Sequence, residues 1–260
     1  MLRTVVERLK SERRRKRMRD RKREGFVSDG NGRYTLQVIA RIYNDFPTKF
    51  GLPHQSGRIP ELRGKIIFEA PYRNPDAVRG LEEFSHIWLI WQFSMAVRDG
   101  WTATVRPPRL GGNTRMGVFA TRSPFRPNSL GLSCVRLEKV ELDKKLGPVL
   151  YVAGADLADQ TPIYDIKPYL AYVESHPQAA GGFTDRILEH KLKVDFPKDW
   201  LDKIPQQKRR ALLEVLADDP RPTYQEDPDR IYGMEYGEWD IHFRVCKGRL
   251  SVCGVSQIVR

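Results

Sequence analysis

The sequence has few cysteines and no long hydrophobic run. Among its 260 residues the three cysteines, Cys134, Cys246 and Cys253, cannot all pair, and their spacing matches no zinc site. We therefore expect reduced thiols, no metal centre and a cytoplasmic location. The longest aromatic and aliphatic stretch, residues 87–91, is too short to cross a bilayer, and no apolar segment follows the start. Neither a membrane span nor a secretory signal is expected.

Common nucleotide-binding and catalytic motifs are also missing. No Gly-x-Gly-x-x-Gly follows a strand-like run and no Walker loop occurs, which argues against Rossmann and P-loop binding. No Gly-x-Ser-x-Gly elbow is present. The five histidines show no metal-ligand spacing, and His86 is expected to be a core or strand residue rather than a base.

Positive charge is concentrated at the N-terminus. The formal net charge is +12, and residues 1–24 carry +8 of it through twelve Lys/Arg and four Asp/Glu, which leaves +4 for the remainder. Such an arm either follows the phosphates of a nucleic acid or is a solvated tail, and both interpretations stay open. Together with a Gly-rich linker it forms the first expected segment, residues 1–33.

Short β-rich runs dominate residues 34–183. Clusters of Gly, Pro and Asn separate them, and residues 76–84 are the best short helix candidate. This pattern favours an antiparallel sandwich or barrel. The runs are residues 36–42, 64–68, 86–93, 103–106, 116–121, 131–142 and 149–155.

Residues 184–260 have a different pattern, which predicts a small C-terminal α+β domain. Apolar residues at helical spacing predict an amphipathic helix over residues 202–217, ended by the Asp-Asp-Pro-Arg-Pro segment at 218–222. Runs at 241–246 and 250–255 flank Lys247-Gly248-Arg249 and predict a hairpin. The chain is thus expected to be mainly β.

The stretch 100–137 contains six arginines but no lysine and no carboxylate. A solvated face usually mixes Lys with Glu, whereas guanidinium groups alone are suited to bidentate binding of phosphate or carboxylate. Some of these arginines are expected to have structural roles, and the others to bind an anionic substrate from loops rich in Gly, Pro and Asn. The expected substrate-binding residues are Arg106, Arg109, Arg115, Arg126 and Asn128.

Carboxylates cluster between residues 156 and 169. Asp156 and Asp159 precede Thr161-Pro162, and Asp165 follows with Lys167 and Tyr169. Carboxylates beside cations can act as bases or bind a sulfonium or amine, but an Asp before such a turn can also cap it. Both interpretations stay open. The polar, turn-rich loop at 50–57 is a further place where a ligand could be hydrogen-bonded.

Several segments, taken together, resemble one family. Over about residues 35–175 they resemble the TsaA-like tRNA methyltransferase O family, and residues 218–222 with the final hairpin resemble the C-terminal domain of its bacterial members. The segments are Ala70-Pro71-Tyr72, residues 76–82, 84–88, 104–113, 115–123, 125–128 and 165–169.

This resemblance implies a non-Rossmann antiparallel β-barrel methyltransferase that works as a homodimer and uses S-adenosylmethionine. The family methylates N6 of threonylcarbamoyladenosine, next to the anticodon on its 3′ side, in threonine tRNAs. The cofactor contacts carried over by motif are His54, Gln55, Ser56, Ser94, Met95, Arg122, Leu132, Asp159, Gln160, Thr161 and Pro162. The chain departs from the common pattern in three of these places: family members often have Arg-Gln-Pro at 54–56, His-Gln at 94–95 and glycine at 160.

The implied chemistry requires a proton acceptor, because the target nitrogen is a poor nucleophile until its proton is withdrawn. We hypothesise that Asp159 or Asp165 accepts that proton, or that Lys167 and Tyr169 stabilise the resulting charge. Two competing interpretations remain: a non-catalytic RNA-binding barrel, and a methyltransferase that acts on another small anionic substrate. Binding of S-adenosylmethionine and analysis of tRNA nucleosides would separate them.

Overall fold

Strands make up most of the regular structure. The computed structural model describes residue 32 and residues 34–96, 100–107, 110, 114–186, 191–221 and 227–259. The described strands are β1 (Ala40–Tyr43), β2 (Arg63–Phe68), β3 (His86–Gln92), β4 (Thr104–Val105), β5 (Met116–Gly117), β6 (Leu130–Asp143), β7 (Gly147–Ala153), β8 (Pro162–Pro168), β9 (Lys193–Asp195), β10 (Tyr232–Tyr236), β11 (Trp239–Cys246) and β12 (Arg249–Gln257). The described helices are α1 (Ala171–Glu174), α2 (Lys198–Leu201) and α3 (Gln206–Ala217). None of these helices is long and apolar enough to span a membrane.

The chain divides into two units, Met1–Gln37 and Val38–Arg260. The expected basic arm and linker, residues 1–33, lie outside the described residues except for Gly32. All the strands and helices given above belong to the second unit.

Six strands close into an antiparallel barrel in the order β1–β2–β7–β6–β3–β8, with β8 returning to β1. Side chains alternate between the barrel interior and its outer surface. On β3, for example, Ile87 and Leu89 are fully buried, whereas Trp88 and Ile90 are half-buried on the outer surface. The antiparallel barrel expected for this part of the chain is therefore confirmed.

The C-terminal residues form a sheet and a helix that pack around a second hydrophobic core. A four-stranded sheet has the order β10–β11–β12–β9, and α3 contributes Leu212 and Leu216 to the core that the sheet buries. The β11–β12 turn at Lys247 and Gly248 has positive φ at both residues, 49° and 74°, as a two-residue type I′ hairpin requires. The predicted hairpin is present, and the helix predicted over residues 202–217 is present from Gln206 onward, because Pro205 stands at its N-cap. The domain boundary at residues 183/184 stays a prediction.

The connection between β1 and β2 packs into this C-terminal core. Phe46, Ile59 and Leu62 are nearly inaccessible to solvent and belong to the same hydrophobic cluster as Tyr236 and Phe243. The edge of the Phe46 ring meets the Tyr236 ring at a centroid distance of 5.5 Å. The segment between β1 and β2 is thus held by the C-terminal domain as well as by the barrel.

Some elements differ from the sequence prediction. Residues 76–84 do not form a helix: two 3-10 turns, Pro75–Val78 and Leu81–Glu83, are separated by Gly80, whose φ of 82° interrupts helical geometry. The strand predicted over residues 116–121 is shorter: only β5, residues 116 and 117, pairs with β4, and a 3-10 turn follows at Val118–Ala120. The strands β8, β9 and β10 were not predicted. Prolines at both ends of β8 concealed its alternation, since proline is unusual in a paired strand.

Candidate active site

A cavity of about 600 Å³ lies beside β3 and β6, between the β1–β2 connection and the turn that follows α3. Its volume is in the range found for small-molecule and cofactor sites. Apolar side chains such as Phe50, Leu52 and Met95 form part of its wall. The charged side chains that line it are Lys49, Arg122, Arg126, Asp156, Asp218, Asp219 and Arg221.

A chain of hydrogen bonds positions the carboxylate of Asp156 in this cavity. The indole nitrogen of Trp91 donates to the hydroxyl of Ser133 at 2.9 Å, and that hydroxyl donates to Asp156 Oδ1 at 2.6 Å. Ser133 is completely buried on the inner side of β6. Burial raises the pKa of Asp156, and hydrogen bonds from Ser133 and the amide of Ser56, with the charge of Arg122, oppose that rise.

Gly131 on β6 provides the space that Trp91 occupies. A Cβ atom at this position would lie less than 3.0 Å from three atoms of the indole ring. The ring also packs against Phe93 with a centroid distance of 4.3 Å. The absence of a side chain at residue 131 therefore leaves room for the indole that donates a hydrogen bond to Ser133.

Two arginines of the loop after β5 have different roles in the cavity wall. Arg122 is exposed, and its Nη1 donates to Gln55 Oε1 at 2.5 Å. The guanidinium group of Arg126 instead donates to three backbone carbonyls, those of Val118 and Thr121 through Nη2 and that of Ser123 through Nε. Arg126 thus fixes the loop, whereas the guanidinium group of Arg122 stays exposed in the cavity wall.

The turn after α3 closes the cavity from the C-terminal side. Asp218 forms an ion pair with Arg58, and Asp219 forms one with Arg221 at 2.9 Å. Asp219 has a φ of 55°, so the chain reverses sharply after the helix. Both of these acidic residues therefore have an arginine partner.

Most of the expected cofactor residues are brought together here. Ser56 lies beside the cavity, because its amide is hydrogen-bonded to Asp156. The expected cofactor residues that line the cavity are His54, Gln55, Ser94, Met95, Arg122, Leu132 and Thr161. Their assignment as cofactor contacts remains a prediction that this convergence supports.

The other three expected cofactor residues do not line the cavity. Asp159 Oδ1 accepts a hydrogen bond of 2.9 Å from the amide of Asn44 and so fixes the end of β1. Gln160 has a φ of 59°, and its amide donates to the Ile42 carbonyl at 2.7 Å. Pro162 is buried in β8. These three residues flank Thr161 in the sequence and contact β1 or belong to β8.

The residues expected to be catalytic lie elsewhere. Asp159 has the structural role just described. Asp165 and Lys167 form an ion pair of 2.7 Å on the outer surface of the barrel, because their positions in β8 pair with the outward residues Ile90 and Trp88. The Tyr169 ring is also outside, 5.9 Å from the ring of Trp88. Within one chain, the geometry brings none of the four to the cavity.

The expected substrate-binding residues are also spread out. Arg126 lines the cavity through the loop contacts given above. Arg106 and Asn128 are exposed, and exposed Arg115 donates to Thr104 Oγ1 at 3.3 Å across the β4–β5 hairpin. Arg109 lies outside the described residues. Near this hairpin the exposed rings of Trp101 and Phe119 stack with a centroid distance of 6.2 Å.

Sequence reasoning missed several residues of the cavity. It noted Asp156 in an acidic cluster but did not select it, and it interpreted residues 218–221 only as the end of a helix. Ser133 and Trp91 carried no signal, since both belong to ordinary β-rich runs. Among the described residues, no group of three His, Cys, Asp or Glu side chains is arranged to hold a metal ion.

The fold and the cavity define a class of protein: a closed antiparallel β-barrel, distinct from the Rossmann fold, with a cavity of cofactor size at its side. Two family models match the chain, the tRNA-methyltransferase O N-terminal domain over residues 41–175 and the TrmO C-terminal domain over residues 189–258. These matched segments contain the barrel strands from Arg41 onward and the C-terminal sheet.

Similar proteins agree with this assignment. The tRNA (adenine(37)-N6)-methyltransferase of Escherichia coli is 40% identical over 227 residues, 84% of this chain and 96% of that protein. A putative S-adenosylmethionine-dependent methyltransferase of Pseudomonas aeruginosa, RcsF, is 36% identical over 222 residues, 81% of this chain and 92% of its own length. The crystal structure of TrmO from the same species superposes with a TM-score of 0.69 at 30% identity and covers 86% of this chain and 97% of that one.

The chain belongs to the tRNA methyltransferase O family. It is thus a methyltransferase of the tRNA-modifying type, with S-adenosylmethionine as its cofactor. The resemblance expected from the sequence motifs is confirmed.

Proposed function

We propose that this protein methylates N6 of threonylcarbamoyladenosine next to the anticodon of threonine tRNA, as a homodimer in the cytoplasm. The E. coli relative is named for adenine 37 and N6, which supports an adenine of tRNA as the target base and N6 as the methylated atom. The observation that carries the proposal is the cavity, whose wall contains an exposed arginine, Arg122, and a partly buried carboxylate, Asp156, on which the charge of Arg122 acts.

The side chains of the cavity fit S-adenosylmethionine. The cofactor has one carboxylate, one ammonium group and a sulfonium, and when bound it supplies an electrophilic methyl group. Arg122 can bind the carboxylate, since guanidinium groups bind carboxylates strongly. Phe50, Leu52 and Met95 offer an apolar surface for the nucleoside. The chain contributes mainly position, which suits a reaction that needs in-line placement of donor and acceptor.

The β4–β5 hairpin supports recognition of an RNA loop. Trp101 and Phe119 are exposed to 51% and 74% and stack on each other, so they form an apolar surface. The exposed arginines Arg106 and Arg115 lie directly after β4 and directly before β5. Unpaired bases stack on aromatic rings of this kind, and arginines bind the adjoining phosphates. We propose that the hairpin binds the anticodon loop while the target base enters the cavity.

The outer surface of the barrel supports the proposed homodimer. Trp88 and Ile90 on β3 pair with Cys134 and Leu132 on β6, and all four side chains face outward. Leu132 is 52% exposed and also lines the cavity. A second copy that covered this apolar surface would lie beside the cavity, and the surface would then be shielded from water. In such a dimer Asp165, Lys167 and Tyr169 would lie at the interface.

Methylation of defined tRNA tests the proposed substrate. The protein is incubated with labelled S-adenosylmethionine and one of three tRNAs. These are threonine tRNA that carries threonylcarbamoyladenosine, the same tRNA without that modification, and a tRNA with an unrelated anticodon loop. We expect incorporation into the modified threonine tRNA only, with the product identified by nucleoside mass spectrometry. Equal labelling of the unmodified tRNA would reject the modified base as substrate. Cofactor binding without any labelling would favour a different anionic substrate, and no cofactor binding would favour a non-catalytic RNA-binding module.

A further inference from the structure

Three carboxylates line the cavity, and they differ in their partners. Arg58 neutralises Asp218, and Arg221 neutralises Asp219. Among the described residues no cation forms an ion pair with Asp156. The charge of Arg122 acts on Asp156 without forming an ion pair, so Asp156 is the carboxylate in the described part of the cavity that no ion pair holds.

The groups that donate hydrogen bonds to Asp156 are neutral. The Ser133 hydroxyl, at 2.6 Å from Oδ1, is itself fixed by the indole of Trp91, and the amide of Ser56 donates from the β1–β2 connection. Such donors orient the carboxylate without removing its capacity to bind a proton. Burial raises the pKa of Asp156. A carboxylate with a raised pKa is a stronger base than one in water.

We propose that Asp156 accepts the proton of the acceptor nitrogen during methyl transfer, an inference that rests on the proposed function. The N–H bond of the acceptor breaks and its proton passes to a carboxylate oxygen of Asp156. The nitrogen electron pair forms the new bond to the methyl carbon as the carbon–sulfur bond breaks, and that bonding pair stays on sulfur. Charge is conserved: the carboxylate is neutralised and the sulfonium becomes a thioether.

The carboxylates favoured from sequence cannot take this role within one chain. Asp159 accepts a backbone hydrogen bond from Asn44 behind the cavity wall, and Asp165 is paired with Lys167 on the outer surface of the barrel. Asp156 has the same chemistry and lines the cavity itself. Of these three carboxylates, Asp156 is therefore the one that a substrate in the cavity of the same chain can reach.

The proposal predicts how the reaction depends on pH. The carboxylate must be ionised to accept a proton, so the rate rises as pH increases through the pKa of Asp156. The Ser133 hydrogen bond lowers that pKa, so Ser133→Ala should raise it and move the acidic limb of the rate profile to higher pH. The titratable and charged groups that line the same cavity are Lys49, His54, Arg122, Arg126, Asp218, Asp219 and Arg221, and of these the charge of Arg122 acts on Asp156 and lowers its pKa.

The test combines single-turnover rates, cofactor binding and direct titration. Rates of methyl transfer to threonine tRNA carrying threonylcarbamoyladenosine are measured against pH at saturating S-adenosylmethionine, and cofactor affinity is measured by calorimetry. The variants are Asp156→Asn and Ser133→Ala. The matched control is Asp76→Asn, which removes an exposed carboxylate that pairs only with neighbouring Arg79 in a surface turn. Carbon NMR of labelled aspartate, assigned with Asp156→Asn, follows the carboxylate in Ser133→Ala without any turnover.

We expect Asp156→Asn to lower the rate by about 10²–10⁴-fold and to remove the acidic limb, with cofactor affinity within about threefold of wild type. Ser133→Ala should move both the acidic limb and the NMR titration upward, and the control should match wild type. The assignment is overturned if Asp156→Asn keeps the wild-type rate and profile, or if it mainly weakens cofactor binding and recovers its rate at saturation. If wild-type protein transfers no methyl group to this tRNA, the proposed function fails first and the assignment falls with it.

Discussion

Arg58 and Asp218 are joined by a forked ion pair in which Arg58 Nε lies 3.1 Å from each carboxylate oxygen and Nη2 donates to the same group. Arg58 lies in the connection between β1 and β2, and Asp218 is the C-cap residue that directly follows α3. Their side chains are only 18% and 9% exposed. The pair therefore joins the segment that carries His54 and Gln55 to the C-terminal domain.

Removal of Arg58 should destabilise the protein because it leaves Asp218 charged and poorly solvated. Loss of one partner of a fully buried pair costs about 3–5 kcal/mol. For this partly accessible pair we expect Arg58→Met to lower the free energy of unfolding by about 2 kcal/mol, measured by urea denaturation. The exposed pair Asp76–Arg79 provides the control, and Arg79→Met should cost less than about 0.5 kcal/mol. The double variant Arg58→Met/Asp218→Asn should regain part of the loss, and no recovery would contradict the ion-pair explanation.

Gly131→Ala should disturb the cavity wall from within. The new methyl group would collide with the indole of Trp91, and overpacking of this kind costs about 1–3 kcal/mol. We expect a loss of that size in thermal or urea unfolding, together with slower methyl transfer, because the Trp91–Ser133–Asp156 chain is displaced. Gly254→Ala in β12 is the matched control, because its added Cβ would make only ordinary van der Waals contacts of 3.5 Å or more with His242. Equal effects of the two substitutions would rule out the steric explanation.

Arg122→Ala and Arg126→Ala should have different consequences, although both arginines belong to one loop. Arg122 is exposed and contacts Gln55, so its loss should weaken S-adenosylmethionine binding about ten- to hundredfold with little change in melting temperature. Arg126 holds three backbone carbonyls, so its loss should lower the melting temperature as well. Calorimetric binding and thermal unfolding of both variants check this difference. Wild-type affinity in Arg122→Ala would remove Arg122 from the cofactor site.

Trp101→Ala and Phe119→Ala should weaken tRNA binding without affecting cofactor binding. Stacking of a base on an aromatic side chain contributes about 1–3 kcal/mol, which corresponds to roughly a 5- to 150-fold change in affinity. Filter binding of threonine tRNA measures the effect, and calorimetry with S-adenosylmethionine checks the cavity. Tyr43→Ala, which removes a 39% exposed aromatic ring from β1, is the control. Unchanged tRNA affinity in both hairpin variants would exclude this surface as the docking site.

Ile90→Lys should separate the proposed homodimer. The added charge would lie in the middle of the outward apolar surface, between Leu132 and Asp165 in register, and would oppose burial by a second copy. Sedimentation velocity should show a dimer for the wild-type protein and a monomer for the variant. Leu142→Lys places the same charge at a 62% exposed leucine near the far end of β6 and should leave the dimer intact. A wild-type monomer at micromolar concentration would reject the dimer.

The sequence by itself determined the features that depend on local pattern. Alternating residues predicted most barrel strands and the β11–β12 hairpin, the spacing of Leu212 and Leu216 predicted α3, and long motifs predicted the family. These features were predictable because strand alternation, helical periodicity and turn chemistry depend on residues that are close together in the sequence. The same local view failed for β8, where two prolines and outward polar residues hide a paired strand.

Only the tertiary structure decided which side chains meet in the cavity. Asp156 and Asp159 are three residues apart in the same turn, yet one faces the cavity and the other holds the backbone of Asn44. Arg58 and Asp218 are separated by 160 residues and meet because the β1–β2 connection packs into the C-terminal core. Closure of the barrel and burial of that connection determine these contacts. The residues that meet are far apart in the sequence, and strand register, which sets the direction of each side chain, is fixed only when the strands pair.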